Sequence, residues 1–170
     1  ADVVVMREAS FTPPLPRDEP IEERLVLADD GQAGTGIGAG TTRDACQPLI
    51  NDDEIDGNVA LVERGGCEFQ VKIANAQNAG AVAVIVYSNV GAPIVMNGDS
   101  GSVDIPAVMI GNADGQILVD RLTANADDEF DGEPVVVRLE RGLFAAVSGG
   151  TGNVVANFSS RGPSRSDANF

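Results

Sequence analysis

Residues 81–87 (Ala-Val-Ala-Val-Ile-Val-Tyr) are apolar without a break and begin directly after Gly80. A strand with one wet face alternates polar with apolar, so an unbroken run of this length reads as a strand buried on both faces. The preceding residues fit that reading. Residues 58–62 (Asn-Val-Ala-Leu-Val) form a second apolar strand, and Arg64, Gly65 and Gly66 make a turn. From Glu68 onward Phe69, Ile73 and Ala76 recur at i, i+4 and i+7. That spacing puts the three on one helix face and leaves Lys72, Asn75 and Asn78 to point elsewhere, with Gly80 as a left-handed C-cap. Strand, helix and strand make a βαβ unit with a right-handed crossover.

Shorter elements surround this unit. Residues 3–6 are a β-branched strand, and residues 11–20 carry four prolines and form an extended connector. A strand is expected at 25–28, an irregular Gly-rich loop at 29–42, and a strand at 105–110 interrupted by Pro106. Asn112 is positioned to N-cap a helix running to about Ala124, with Ile117, Leu118 and Leu122 facing inward. Residues 134–140 return as a late strand, and beyond Ser148 the Gly-, Ser-, Asn- and Arg-rich sequence predicts a weakly packed tail. The fold class is mixed α/β with two main helices. The length of 170 residues suits one core domain.

Charge and residue types exclude several functions. Lys and Arg total 11 against 26 Asp and Glu, a net charge of −15. That field repels phosphate backbones and anionic lipid, so neither nucleic acid nor a membrane surface is an expected partner. It favours solubility, and it would also suit a saline or calcium-containing medium, the plainer reading being a soluble surface. No apolar stretch is long enough to span a membrane, and residues 1–10 lack the pattern of a signal peptide, so the start reads as a cut inside a longer chain. The chain has no His, which removes the usual general base and zinc ligand, and with them a Ser-His-Asp hydrolase.

Four motifs carry weaker signals. Residues 34–39 (Gly-Thr-Gly-Ile-Gly-Ala) meet the loose dinucleotide pattern but lack the following helix that phosphate binding needs. Asp127, Glu129, Asp131 and Gly132 resemble the first half of a calcium loop, yet Arg138 stands where the bidentate Glu belongs; no cofactor is expected, and calcium capture there would be weak. Gly98-Asp99-Ser100-Gly101 has the look of a serine nucleophile segment without a base and reads as a turn. Asn157-Phe158-Ser159 fits the N-glycosylation pattern. Cys46 and Cys67 are either disulfide-bonded or two buried thiols. The acidic, secreted-looking composition favours the disulfide, worth about 3 kcal/mol for a loop of this size in the chain-entropy model.

The stretch Gly57-Asn58-Val59-Ala60-Leu61-Val62-Glu63-Arg64-Gly65-Gly66-Cys67-Glu68-Phe69, then Lys72, then Asn75-Ala76-Gln77-Asn78-Ala79-Gly80-Ala81, resembles the signature of the protease-associated (PA) domain. So does Ile105-Pro106-Ala107-Val108-Met109-Ile110 followed by Ala113-Asp114-Gly115. The tail, Asn157-Phe158-Ser159-Ser160-Arg161-Gly162-Pro163, looks like the segment with which subtilases (S8 serine peptidases) re-enter their catalytic domain after a PA insertion. The resemblance implies an open β-barrel or sandwich flanked by the two helices. It implies residues 1–24 as an N-terminal strand and connector, 25–147 as the PA domain, and 148–170 as a tail leading toward a catalytic domain. The implied role is non-catalytic: to restrict substrate access, to engage protein or peptide substrates, or to mediate self-association as a homodimer, with the catalytic domain of the same parent chain as a further partner and secretion to the extracellular medium. The plainer alternative is a spacer that only stabilises the protease. A PA domain of a metallopeptidase or a sorting receptor is the alternative. In vacuolar sorting receptors, which share Arg-Gly-x-Cys-x-Phe, that loop contacts cargo peptide; the resemblance points to Arg64, Gly65 and Gly66, with Ser88 and Asn89 opening the next loop. The competing role for Arg64 is an ion pair with Glu63, Glu68 or another carboxylate that only steadies the turn.

Overall fold

The structure is a computed structural model that describes residues 2–33, 40–127, 134–142 and 144–149. In chain order the elements are β1 (Asp2–Glu8), β2 (Ile21–Leu27), α1 (Asp52–Ile55), β3 (Val59–Glu63), α2 (Phe69–Asn78), β4 (Ala83–Tyr87), β5 (Ala107–Ile110), α3 (Asn112–Asp127), β6 (Val136–Leu139) and β7 (Phe144–Ser148). The seven strands among the described residues follow one another as β1-β5-β4-β3-β2-β6-β7 and close into a barrel. Pairs β2/β3, β3/β4 and β4/β5 are parallel, and the rest are antiparallel. The expected mixed α/β barrel is present, and it is closed where an open one was expected. Closure falls to β1, which pairs with β7 through Asp2 to Val5 and with β5 through Met6 to Glu8. One seven-residue strand thus bridges both edges, and no edge is left to aggregate.

Alternation sorts the side chains into two cores. Val4, Met6, Leu25, Val59, Leu61, Ile85, Tyr87, Val108, Ile110, Val137 and Leu139 fill the barrel, joined by Leu118 and Val119 of α3, which caps it. Ala60, Val62, Val84, Val86 and Met109 point outward beneath Ile73 and Ala76 of α2. Strands β3 and β4 are therefore buried on both faces, which is why their sequences do not alternate. Helix α3 lies so close to β4 that a Cβ on Gly115 would sit 2.3 Å from the Tyr87 Cβ. Only a residue without a side chain fits there.

The predicted βαβ unit is found with its helix ending as expected. Ala81 N–H donates to Ala76 O (3.0 Å) and Gly80 N–H to Gln77 O (2.9 Å), a Schellman closure with Gly80 in the left-handed region. Three expectations need correction, and two elements lay outside them. The second strand begins at Ile21 rather than Leu25, because Glu22 and Arg24 face solvent opposite β6 while their neighbours pack inward. β7 and the single turn α1 were not expected. Asn112 is the first helical residue of α3, and its side chain donates to Ser88 O (2.9 Å) instead of capping. Lys72 does not point away from the protein. It is fully buried, because α2 is wedged between the barrel and the segment around Cys46. Residues 150–170, including the tail motif, lie outside the described residues, as do residues 34–39.

Candidate functional site

Strands β3, β4 and β5 are parallel, so their carboxyl ends at Glu63, Tyr87 and Ile110 share one edge of the barrel. The loops that follow lie side by side. Arg64 N–H donates to Tyr87 O (3.0 Å), and Ser88 N–H donates to Ile110 O (2.9 Å). The Arg64 guanidinium reaches Ser88 Oγ at 3.5 Å, and a Cβ on Gly65 would lie 3.3 Å from Asn89 Nδ2. The structure thus brings Arg64, Gly65, Ser88 and Asn89, chosen from separate loops, into one patch. Ser88 is buried, and its hydroxyl donates to Val90 O (2.7 Å) and accepts from Val90 N–H (3.3 Å), so it shapes the loop, while Asn89 is exposed.

Arg64 is half-buried, with its guanidinium 5.9 Å from the centre of the Phe69 ring, a cation–π contact worth about 0.5–1 kcal/mol at such a site. Among the described residues it makes no ion pair with a carboxylate, whereas Arg138 pairs with Glu22 and Glu140. Glu63, the nearest carboxylate in sequence, accepts instead from Thr41 Oγ1 (2.6 Å). In a chain of net charge −15, this cation at the rim of three strands has no partner carboxylate among the described residues.

The turn itself is built from below. Gly65 and Gly66 both have positive φ (121° and 82°), and a Cβ on Gly66 would meet Asp44 Oδ2 at 2.8 Å and Cys46 Sγ at 3.1 Å. Cys46 and Cys67 form the expected disulfide, with Cα atoms 5.8 Å apart. Beneath it the Lys72 ammonium donates to Asp44 O (2.8 Å) and Gly65 O and lies 3.6 Å from Cys46 Sγ. Asn75 Nδ2 adds a bond to Ala45 O (2.8 Å). Burial pushes the Lys72 pKa down to about 8, against the pull of the Asp44, Glu63 and Asp30 carboxylates. Asp30 is buried beside Asp44 and accepts from the N–H groups of Gln32, Cys46 and Gln47; burial, and then its neighbour Asp44, hold its pKa above the usual carboxylate range. Burial, followed by the Glu63 carboxylate, likewise raises the Tyr87 phenol. Helical periodicity missed Lys72, Asp30 and Asp44. Two signals were available for Lys72: it stands four residues before Ala76 of the buried face, and it is the chain's single lysine, within the PA-like motif.

The other motifs separate from this patch. Gly98 to Gly101 is an exposed turn in which Asp99 N–H donates to Gln70 Oε1 (2.9 Å). Glu129, Asp131 and the side chain of Asp127 lie outside the described residues, as does Asn157-Phe158-Ser159. No helix among the described residues is long and apolar enough to cross a membrane.

A family model for the PA domain matches residues 21–118, more than half of the chain. The receptor homology region, transmembrane domain- and RING domain-containing protein 1 of Oryza sativa subsp. japonica is 47% identical over 79 residues, covering 44% of this chain and 15% of that protein. The minor extracellular protease Vpr of Bacillus subtilis (strain 168) is 36% identical over 110 residues, covering 65% of this chain and 12% of that protein. The chain thus spans less than a fifth of the length of either relative. Among solved structures, an aminopeptidase from Aneurinibacillus sp. strain AM-1 superposes with a TM-score of 0.54 at 21% identity, over 88% of this chain and 32% of that one. The zinc aminopeptidase BSAP from Bacillus subtilis gives 0.51 at 22% identity, over 87% and 28%. At such identities the superpositions speak to the fold alone. With the closed barrel, the disulfide and the matched residues together, the chain belongs to the PA domain family.

Proposed function

We propose that this chain is a non-catalytic interaction module of a secreted subtilisin-like serine peptidase, and that it engages extended segments of protein substrates at the 64–66 turn and Asn89. The carrying observation is Arg64, a half-buried cation that has no ion pair with a carboxylate among the described residues and stands beside an exposed loop in a strongly acidic molecule. An arginine in that state is free to take a carboxylate or backbone carbonyls of an incoming peptide, and a charge-assisted hydrogen bond of this kind contributes about 1.5–3 kcal/mol. The subtilase host is supported by the similarity to Vpr, whose name describes an extracellular protease, and by the tail resemblance at residues 157–163. The absence of His leaves peptide cleavage to another part of the parent.

The alternative host is a metallopeptidase or a sorting receptor. The receptor draws support from the rice relative, whose name includes a receptor homology region and which has the higher identity over a shorter span. The gene downstream of residue 170 separates the hosts: Gly-Thr-Ser-Met-Ala favours the subtilase, and a His-rich zinc motif favours the metallopeptidase. The site itself is tested by Arg64→Ala in the full-length protease. A selective loss of about tenfold against long protein substrates, with small-peptide turnover unchanged, is expected. Equal loss on every substrate, or none, would place the interaction elsewhere.

A further inference from the structure

We infer that Lys72 is the residue that positions the 64–66 turn, tying the two segments on either side of the Cys46–Cys67 bridge so that the turn keeps its shape when the bridge is reduced. Lys72 is 0% exposed. Its ammonium carries three N–H donors, and three acceptors surround it: Asp44 O, Gly65 O and Cys46 Sγ. Two of these belong to the segment leading into the bridge, and the third is the carbonyl of the first turn glycine.

The two restraints are complementary. The disulfide fixes the turn at Cys67, after Gly66, whereas Lys72 fixes it at Gly65, before Gly66. Both restraints reach the same opposing segment at residues 44–46. The lysine has a firm base, because Ile73 and Ala76 hold α2 in the outer core and Asn75 binds Ala45 O from the same helix. Removing either restraint leaves the other in place.

Residue choice points the same way. Of the 11 basic residues ten are arginines, and the single lysine stands here. A compact ammonium can converge on three acceptors from different directions, which a planar guanidinium fork cannot. The carboxylates of Asp30, Asp44 and Glu63 lie near enough to favour its charged form without forming an ion pair with it.

The inference concerns the shape of the turn; only its consequence for binding rests on the proposed function. The test is NMR relaxation of the Gly65 and Gly66 amides in the 170-residue chain, with Val84 and Val86 of β4 as an internal reference. Wild type and the bridge-free Cys46→Ser/Cys67→Ser variant should keep order parameters of about 0.85 at both glycines. Lys72→Met should fall below about 0.6 there with the bridge intact and β4 unchanged. Loss of order in the bridge-free variant, or a rigid turn in Lys72→Met, overturns the inference. A second measurement needs no substitution at residue 72. With 15N-lysine the chain gives one ammonium signal, which buried hydrogen bonds should keep visible at neutral pH before and after reduction; its disappearance on reduction also overturns the inference. A turn ordered by Lys72 that binds nothing would sink the proposed function and leave this inference standing. Binding lost in Arg64→Ala but untouched, with an ordered turn, in Lys72→Met would do the reverse.

Discussion

The two walls of the barrel differ in what covers them. The parallel wall, β3 to β5, lies beneath α2 and the loops at residues 9–11, 45–55 and 96–105, and its outer residues Ala60, Val62, Val84, Val86 and Met109 are buried. The antiparallel wall, β1, β7 and β6, leaves Val3 46% and Val5 39% exposed on its outer face, with Arg138 bridging to Glu22 and Glu140 in solvent. Covering follows from connectivity: parallel neighbours need a crossover, and the crossover helix must lie on the sheet. Parallel order also gathers three carboxyl ends at one edge, so the loops carrying Arg64 and Asn89 converge there, whereas antiparallel loops alternate between the two ends. Fold and candidate function are thus concentrated in one wall.

The sharpest way to break this comparison is to cut the covered wall's covalent tie. Cys46→Ser/Cys67→Ser should lower unfolding free energy by about 3 kcal/mol in urea titrations, from the lost constraint on the unfolded chain. A loss below about 1 kcal/mol would mean that the bridge does not hold this wall together. A matched pair of truncations comes next. Val84→Ala, beneath α2, should cost about 2 kcal/mol, and Val5→Ala, on the bare face of β1, less than about 0.5 kcal/mol. Equal costs would show that something covers the second wall in solution.

Much of the parallel wall was legible in the sequence because double burial removes alternation and leaves runs that read as strands without knowledge of their partners. The antiparallel wall was less so. In β2 the outward Glu22 and Arg24 break the apolar pattern, and in β7 the Ala-Ala-Val core contribution is too small and too short to mark a strand. Closure itself was not legible, since it depends on β1 pairing with residues a hundred or more positions away. At the site, Arg64 and the glycines could be named from the turn and the family likeness. Lys72 stands four residues before Ala76 and so extends the buried face of α2, but its charge argued against burial; what covers it is the segment at residues 44–46, which no local periodicity connects to α2.

A pH titration sharpens the same point. Lys72 has a pKa of about 8 when folded and 10.5 as a model group, so between these values the folded state has released a proton that the unfolded state keeps. Raising pH across this window therefore favours the folded state, by at most about 1.4 kcal/mol per pH unit. Tyr87 works in the opposite direction only above its unfolded value of 10.0, because its folded pKa is raised. Wild type compared with Lys72→Met from pH 8 to 10 should show the rise in wild type alone. A parallel trend in both would assign the pH dependence to other groups.

The most direct measurement is the affinity of the 170-residue chain for a reduced, alkylated unfolded protein, read by fluorescence titration for wild type and Arg64→Ala beside their unfolding midpoints. The account predicts binding by wild type, about tenfold weaker binding by Arg64→Ala, and the same midpoint for both. Equal affinities, no binding by wild type, or a weakening that only tracks lost stability would contradict it.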